Sequence, residues 1–198
     1  MLLPHNVSFL TINDANEWFS NQQTASVLLR KKIMSAIQGK DHLEIPSTFL
    51  YMSSKEADLK LLEDKKELEI ISSFQVISAA EGSLKYDFEL KLRAPLKSAL
   101  TKNFSNIYSN KSSSMRYIDV DRDILEIWKL HYNSDDLTEY IGQFRTLLKF
   151  RHWVAHGRFW EPNTLGRVIA NYHPTAVSKE IQDLFSHLAS LPDGFNCE

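Results

Sequence analysis

Cysteine is almost absent from this chain of 198 residues, in which Cys197 is the single example. One cysteine excludes an internal disulfide and a cysteine-based metal cage. The chain contains six glycines, and they form no glycine-rich phosphate loop. Long hydrophobic runs are also missing, because no window approaches the roughly 18 uncharged apolar residues of a membrane-spanning helix. We therefore expect no membrane association.

The chain has no excess of positive charge. Its 23 lysine and arginine residues are balanced by 25 acidic ones, and the formal net charge is −2. This balance argues against the broad basic coat of many nucleic-acid-binding proteins and leaves room for a local basic site. The first ten residues lack the basic start and the uninterrupted apolar stretch of a signal peptide. We expect a cytoplasmic protein that folds as one domain over residues 1–198.

Apolar residues recur at helical spacing along most of the chain, and no parallel-strand pattern is visible. This predicts an all-α, up-and-down bundle of about five to six helices. The expected helices cover about 13–38, 55–93, 121–132, 134–156 and a last segment from Pro174 onward. Asn13 or Asp14 is placed to cap the first helix, and Ser53 opens a capping box before the second. Pro95 limits the second helix, and Gly157 is placed to end the fourth in a left-handed conformation.

Two stretches do not follow the helical pattern. Residues 43–52 are short, apolar and interrupted by Pro46, which predicts an extended connector or an edge strand. Residues 101–116 are rich in serine and asparagine and contain no acid, which predicts a mobile loop.

Two of the helical stripes each contain one charge, and the two charges have opposite signs. Glu81 interrupts the stripe Ile70, Phe74, Ile77, Leu84 and Phe88, and Arg151 interrupts the stripe Leu137, Ile141, Phe144, Leu148 and Ala155. A buried charge needs a partner, so Glu81 and Arg151 could pair where their helices pack. Two other positions remain open for Glu81, namely the lining of a cleft or a solvated site beside Gly82. Asp87 falls off its stripe, and we expect it to be exposed.

The densest cluster of reactive side chains spans residues 149–160, where Arg151 and His156 end an amphipathic helix. Five residues turn a helix by roughly 500°, so these side chains lie roughly 140° apart and can border one groove. The negative end of the helix dipole favours the charged form of His156. A guanidinium beside a titrating histidine suits phosphate-ester chemistry, because one holds the phosphate and the other moves a proton. The structural alternative is a buried pair for Arg151 and a helix-end cap for His156.

Two patterns suggest metal ions and fail on inspection. His152 and His156 have the i, i+4 spacing of a zinc pair, but no third ligand is apparent. Asp119, Asp121 and Asp123 alternate as in a calcium loop, but the glycine and the final glutamate of such a loop are missing. We expect no metal and no cofactor, and we expect the three aspartates to begin a helix.

The string RHWVAH at 151–156 resembles the Arg-x(4–6)-His motif of the HEPN superfamily, in which a polar residue commonly follows the arginine. His152 fits that polar position. The longer string LLKFRHWVAHGRFW at 147–160 is similar to the RiboL-PSP-HEPN branch in particular. So is SAAEGSLKYDF at 78–88, which resembles a helix of that branch. The resemblance covers about residues 65–190 and leaves residues 1–60 as an N-terminal extension of unknown role.

The resemblance implies a helical bundle that dimerises through the motif helix, with a composite active site. Catalytic members are metal-independent endoribonucleases, in which the RNA 2′-hydroxyl attacks the adjacent phosphate. The products are a 2′,3′-cyclic phosphate or a 3′-phosphate and a 5′-hydroxyl. By position, Arg151 would stabilise the transition state, His156 would be the general acid/base, and His152 would assist. Many members are toxins or antiviral-defence effectors, so a cognate antitoxin or regulatory protein is a possible partner.

Further residues of this region could support RNA binding. Lys149 and Arg158 would add positive charge, and the rings of Trp153 and Trp160 could stack on bases or belong to the core. Glu81 would support the site or the fold. Two alternatives to an endoribonuclease stay open: a non-catalytic HEPN-like module that binds RNA, a nucleotide or a partner, and a helical scaffold with structural charges.

Overall fold

The computed structural model describes residues 10–40, 44–95, 98–111, 113–158 and 172–195. Within these ranges the chain is an all-α bundle without β-strands, as predicted. Its six α-helices are α1 (Ile12–Ile37), α2 (Ser54–Arg93), α3 (Ala99–Asn110), α4 (Glu126–Tyr132), α5 (Asp135–Ala155) and α6 (Pro174–Ser190). None of the described helices is both long enough and apolar enough to cross a lipid bilayer.

Shorter helical turns lie between the α-helices. The described part of the connector from α1 to α2 contains a 3₁₀ turn at Ser47–Phe49, which buries Phe49. The alternative of an edge strand in this segment is therefore wrong for residues 44–52. A second 3₁₀ turn covers Met115–Tyr117, and a π-helix covers Val120–Leu125 and continues directly into α4.

Polar side chains begin the helices close to the predicted positions. Ser53 opens the predicted capping box before α2, and Ser134 caps α5. Before α1 the cap is Thr11, whose hydroxyl accepts a hydrogen bond from the backbone N–H of Asp14 at 3.1 Å. The predicted caps, Asn13 or Asp14, are wrong because Thr11 already has the extended backbone that a cap requires.

The body of the protein consists of α3 to α6 with residues 70–93 of α2, and it shares one hydrophobic core. The largest fully buried side chains in this core are Trp128, Tyr172, Phe88, Phe104, Phe144 and Phe150. Burial of a side chain of this kind contributes about 1.5–3 kcal/mol.

Helix α3 replaces most of the mobile loop that was predicted for residues 101–116. Ser98 caps this helix, and Leu100 and Phe104, one turn apart, are fully buried. The ring of Phe104 lies 4.8 Å from Phe88 and 6.4 Å from Trp128, measured between centroids. The loop prediction is wrong because Leu100 and Phe104, with Ile107 and Tyr108 partly buried beside them, dock a polar helix onto the core.

Helix α1 and the first part of α2 form an antiparallel hairpin. We call residues 20–37 of α1 and residues 54–69 of α2 the arm. A small separate cluster stabilises it, consisting of Ile33, Phe49, Ala57 and Leu61. The apolar residues that recur along α1 are only partly buried, since Ala15 and Ile33 are buried but Trp18 and Leu29 are exposed, and Phe19 is buried in place of Trp18.

Asp87 occupies a position opposite to the one expected for it. Its side chain is fully buried, and its Oδ1 lies 2.5 Å from Nζ of Lys91. Lys91 also donates to the backbone carbonyl of Gly194 at 2.6 Å and lies 5.2 Å from the centre of the Trp128 ring. The expectation of exposure is wrong because α2 is covered on more than one side, so residues off its main stripe are buried as well.

Candidate functional site

The motif arginine lies where α5 packs against α2. Nε of Arg151 is 2.6 Å from Oε2 of Glu81, which confirms the ion pair as one of the three positions that the sequence left open for Glu81. The guanidinium also lies 5.9 Å from the centre of the Phe74 ring, which belongs to the same stripe of α2. The two interrupted stripes therefore face each other, and their opposite charges meet.

This ion pair is only partly shielded from solvent. The side chain of Arg151 is 37% exposed and that of Glu81 is 18% exposed. Burial raises the pKa of Glu81, and the positive charges of Arg151 and Lys85 offset only part of that effect. The carboxylate is thus the more desolvated partner, and one side of the arginine is open to an approaching anion.

Arg151 and Glu81 line a surface groove of about 530 Å³. The groove is also lined by Asp119, Val120, Asp121, Arg122, Arg145, Leu148, Lys149 and His152. Three of the predicted site residues besides Glu81 thus lie together, namely Arg151, Lys149 and His152. The lining mixes four permanent cations with three acids, so its positive charge is local and partly neutralised.

One wall of the groove is the π-helix Val120–Leu125, which lies at the start of the helix predicted for about 121–132, although its π register was not predicted. Asp119 caps it by accepting a hydrogen bond from the backbone N–H of Arg122 at 2.8 Å, which confirms that the aspartates begin a helix. Arg145 of α5 pairs with Asp121 and, at 2.6 Å, with Glu126. Short π-helices occur frequently at functional sites. In the sequence, the alternating aspartates indicated that a helix begins here.

The two motif histidines lie against each other at the end of α5. Their ring centroids are 4.1 Å apart, and the backbone N–H of His156 donates to the carbonyl of His152 at 3.1 Å. Gly157 has φ +76°, which confirms the predicted left-handed end. The N–H groups of Gly157 and Arg158 close a Schellman motif onto Val154 and Trp153 at 3.2 and 3.0 Å. His156 is not among the groove-lining residues, and it contacts the groove through His152.

Among the described residues, the other predicted site residues, Arg158 and Trp153, do not line the groove. Both terminal nitrogens of Arg158 donate to Glu67 of α2, one of them at 2.6 Å, and these hydrogen bonds hold the pKa of Glu67 below its usual value. The guanidinium lies 5.8 Å from the centre of the Trp153 ring. Trp153 is 4% exposed and packs on Phe150, so it occupies the core position that the sequence left open. Trp160 lies outside the described residues.

The arrangement favours binding of a compact anion. An anion that enters the groove meets the guanidinium of Arg151 and the ammonium of Lys149, with the imidazole of His152 beside them. Among the residues that the structure describes, no three His, Cys, Asp or Glu side chains converge as metal ligands would. The chemistry available in this groove is charge stabilisation by arginine and proton transfer by histidine.

Comparison with known proteins adds no relative, since neither a family model, nor a curated protein, nor a solved structure matches this chain. The functional interpretation therefore depends on the site itself and on the motif that residues 151–156 resemble.

Proposed function

We propose that the protein is a metal-independent endoribonuclease of HEPN type. The observation that carries this proposal is the partly exposed side chain of Arg151 on a groove, with His152 and His156 in ring contact at the end of the same helix. RNA offers both the anion that the arginine would hold and the hydroxyl that a histidine would deprotonate. No resident cofactor is required for this chemistry.

The proposed reaction needs only groups of the chain and the RNA. His156 accepts the proton of the 2′-hydroxyl while O2′ attacks the adjacent phosphorus. The bond from phosphorus to O5′ then breaks, and a protonated histidine supplies the proton that makes the leaving group a 5′-hydroxyl. Arg151 stabilises the extra negative charge on the phosphoryl oxygens, and His152, in contact with His156, assists the proton transfer.

The assembly and the biological role follow from the resemblance and belong to the same proposal. Two copies would associate through α5 so that their motif residues share one cleft. Such an enzyme would act in the cytoplasm as a toxin or an antiviral-defence effector, restrained by an antitoxin or a regulatory protein. The net charge of −2 per chain favours a particular exposed RNA loop over sequence-independent binding.

Cleavage of RNA in excess EDTA tests this function. The wild type is compared with Arg151→Ala, His156→Ala and the matched control His131→Ala, whose histidine lies away from the groove on α4. Loss of the general acid/base should lower the cleavage rate by about 10²–10⁴-fold, and the control should keep it. The products should carry 2′,3′-cyclic phosphate or 3′-phosphate ends. Activity that depends on a divalent cation, or that survives both motif substitutions, would overturn the proposal.

A specific observation favours a second candidate, a non-catalytic module that binds RNA, a nucleotide or a partner. Glu81 already neutralises Arg151 at 2.6 Å, as in a structural ion pair. Such a module would bind RNA or nucleotide in a fluorescence-anisotropy titration and would release no cleavage products. Toxicity on overexpression that disappears with His156→Ala would decide for the endoribonuclease, because a binding module does not depend on proton transfer.

A further inference from the structure

The groove that contains Arg151 is longer than contact with one phosphate requires. On α5 its lining extends from Arg145 through Leu148 and Lys149 to His152. Arg145 and His152 are seven residues apart, which is about 10 Å along the helix axis. A stacked strand of nucleic acid advances by about 3.4 Å per nucleotide, so a floor of this length spans about three nucleotides.

The π-helix brings a further cation, Arg122, into the wall of this groove. The preceding residue, Asp121, pairs with Arg145 and so attaches the π-helix to α5. Arg122 itself is exposed and lines the groove. Arg145 precedes Arg151 by six residues, about 9 Å along α5. The cation of the wall therefore enters the groove at a different place from the motif arginine.

The acids that line the groove are already engaged, whereas two of its cations remain available. Two of these three acids are held in ion pairs, one with Arg145 and one with Arg151. The third, Asp119, accepts the backbone N–H of Arg122 at 2.8 Å. Among the described residues no ion pair involves Arg122 or Lys149, and both residues are exposed. The charge that the groove offers to a ligand is therefore positive, and part of it comes from outside the motif at 151–156.

We propose that Arg122 and Lys149 form a second phosphate site, which binds the RNA phosphate next to the one that is cleaved. A guanidinium binds phosphate oxygens in a bidentate manner, and an ammonium adds a point charge. A positively charged groove that follows the backbone is typical of proteins that bind single-stranded nucleic acid. The inference rests on the proposed ribonuclease function, because it takes RNA as the ligand of the groove. It assigns the substrate class as single-stranded RNA with a phosphate beside the scissile one.

Binding of a non-cleavable RNA tests the second site without catalysis. The probe is a fluorescein-labelled tetranucleotide with 2′-O-methyl riboses, in which the proposed nucleophile is blocked. Fluorescence anisotropy measures its Kd at several salt concentrations for the full-length wild type, Arg122→Gln and Lys149→Gln. Each substitution should raise the Kd by roughly tenfold, because it removes a contact between a charged donor and a phosphate. It should also lower the slope of log Kd against log salt by about 0.7, the value per phosphate contact on a single strand.

The matched control is Lys179→Gln on α6, an exposed lysine that does not line the groove. It should keep the wild-type Kd and slope. Arg122→Gln retains the backbone N–H that Asp119 accepts, so the π-helix should persist, and a circular-dichroism spectrum equal to that of the wild type checks the fold. The proposal is overturned if Arg122→Gln and Lys149→Gln bind the probe as Lys179→Gln does.

Cleavage kinetics separate this proposal from the proposed function. The substrates are a dinucleotide, whose only phosphate is the scissile one, and a tetranucleotide in which only the second ribose has a free 2′-hydroxyl. On the tetranucleotide, Arg122→Gln should raise KM with little change of kcat, whereas Arg151→Ala should lower kcat. The loss of kcat/KM for Arg122→Gln should be about tenfold greater on the tetranucleotide than on the dinucleotide. Equal losses on both substrates would overturn the second site. Absence of cleavage by the wild type would contradict the ribonuclease function alone, and the binding measurement would still decide on the second site.

Discussion

Two ion pairs that involve α2 serve this protein in different ways. Glu81 of α2 pairs with Arg151 of α5 at 2.6 Å, and Asp87, fewer than two turns later, pairs with Lys91 at 2.5 Å. In the first pair the side chains are 18% and 37% exposed, whereas in the second they are 0% and 7% exposed. The first pair borders a groove, and the second is enclosed in the core beside Trp128.

Solvent access, more than the presence of a charge pair, separates a candidate site from a structural feature in this protein. Lys91 is almost fully buried, and its charge compensates that of Asp87 while its ammonium donates to the carbonyl of Gly194. An anion can reach Arg151 and displace part of its contact with Glu81. The charge of the motif arginine is therefore balanced by Glu81 in the resting protein and can turn toward a phosphate that enters the groove.

Removal of the buried ammonium is expected to have the largest effect. Lys91→Ala leaves the carboxylate of Asp87 in the core without its counter-ion, which should lower the free energy of unfolding by about 3–5 kcal/mol. Urea unfolding, followed by circular dichroism at 25 °C, measures this loss.

A paired replacement controls for the lost volume. The double variant Asp87→Asn, Lys91→Met removes both charges and keeps similar shapes, and it should recover most of the stability. A loss below about 1 kcal/mol for Lys91→Ala would place this pair in the class of exposed salt bridges and remove the contrast with Arg151.

The coupling free energy between Glu81 and Arg151 at the groove should be smaller than that between Asp87 and Lys91 in the core. A double-mutant cycle with Glu81→Gln and Arg151→Met is expected to give a coupling of about 0.5–1 kcal/mol, because solvent screens one side of the guanidinium. Urea unfolding of the four proteins supplies the cycle. The same cycle on Asp87 and Lys91 should give a clearly larger coupling, and equal values would show that burial does not distinguish the two pairs.

The groove pair was accessible to sequence reasoning, and the buried pair was not. Glu81 and Arg151 stand out because each interrupts an apolar stripe on a helix with one main buried face. Asp87 lies off that stripe, and α2 runs through the centre of the body, where it also buries Ser72 and Ser83. An apolar stripe predicts one buried face of a helix. It therefore does not identify the other buried residues of a helix that is packed on several sides.

The other errors also have physical causes. In the arm, Leu29 has the helical spacing of a buried residue and is exposed, because among the described residues α2 supplies most of the packing on α1 and periodicity does not report a missing neighbour. The serine-rich and asparagine-rich composition suggested a loop where α3 forms, because the side chains of α3 that contact the core, Leu100, Phe104, Ile107 and Tyr108, are few among polar residues. The π-helix of the groove wall depends on the hydrogen-bond register of residues 120–125, for which the sequence has no period.

The change of stability with pH should be the smallest of these effects, and the raised pKa of Glu81 fixes its direction. Burial raises the pKa of Glu81 above its value of 4.5 in the unfolded chain. Between these two pKa values the folded state holds the proton more tightly, so the contribution of Glu81 to stability falls as the pH rises through this window. The wild type should therefore lose stability relative to Glu81→Gln from about pH 4.5 upward, and the difference should level off above the raised pKa. Urea midpoints of both proteins across this range measure it.

Glu67→Gln is the matched control because its carboxylate lies on the same helix and its pKa is shifted the other way. Hydrogen bonds from Arg158 lower the pKa of Glu67, so its contribution is present above pH 4.5 and is lost as the pH falls through the lowered value. The two difference curves should have opposite slopes and separate windows. Equal slopes for Glu81→Gln and Glu67→Gln would mean that Arg151 outweighs the burial of Glu81. The groove arginine would then be bound as tightly by its partner as Arg158 is, and less available to an incoming phosphate.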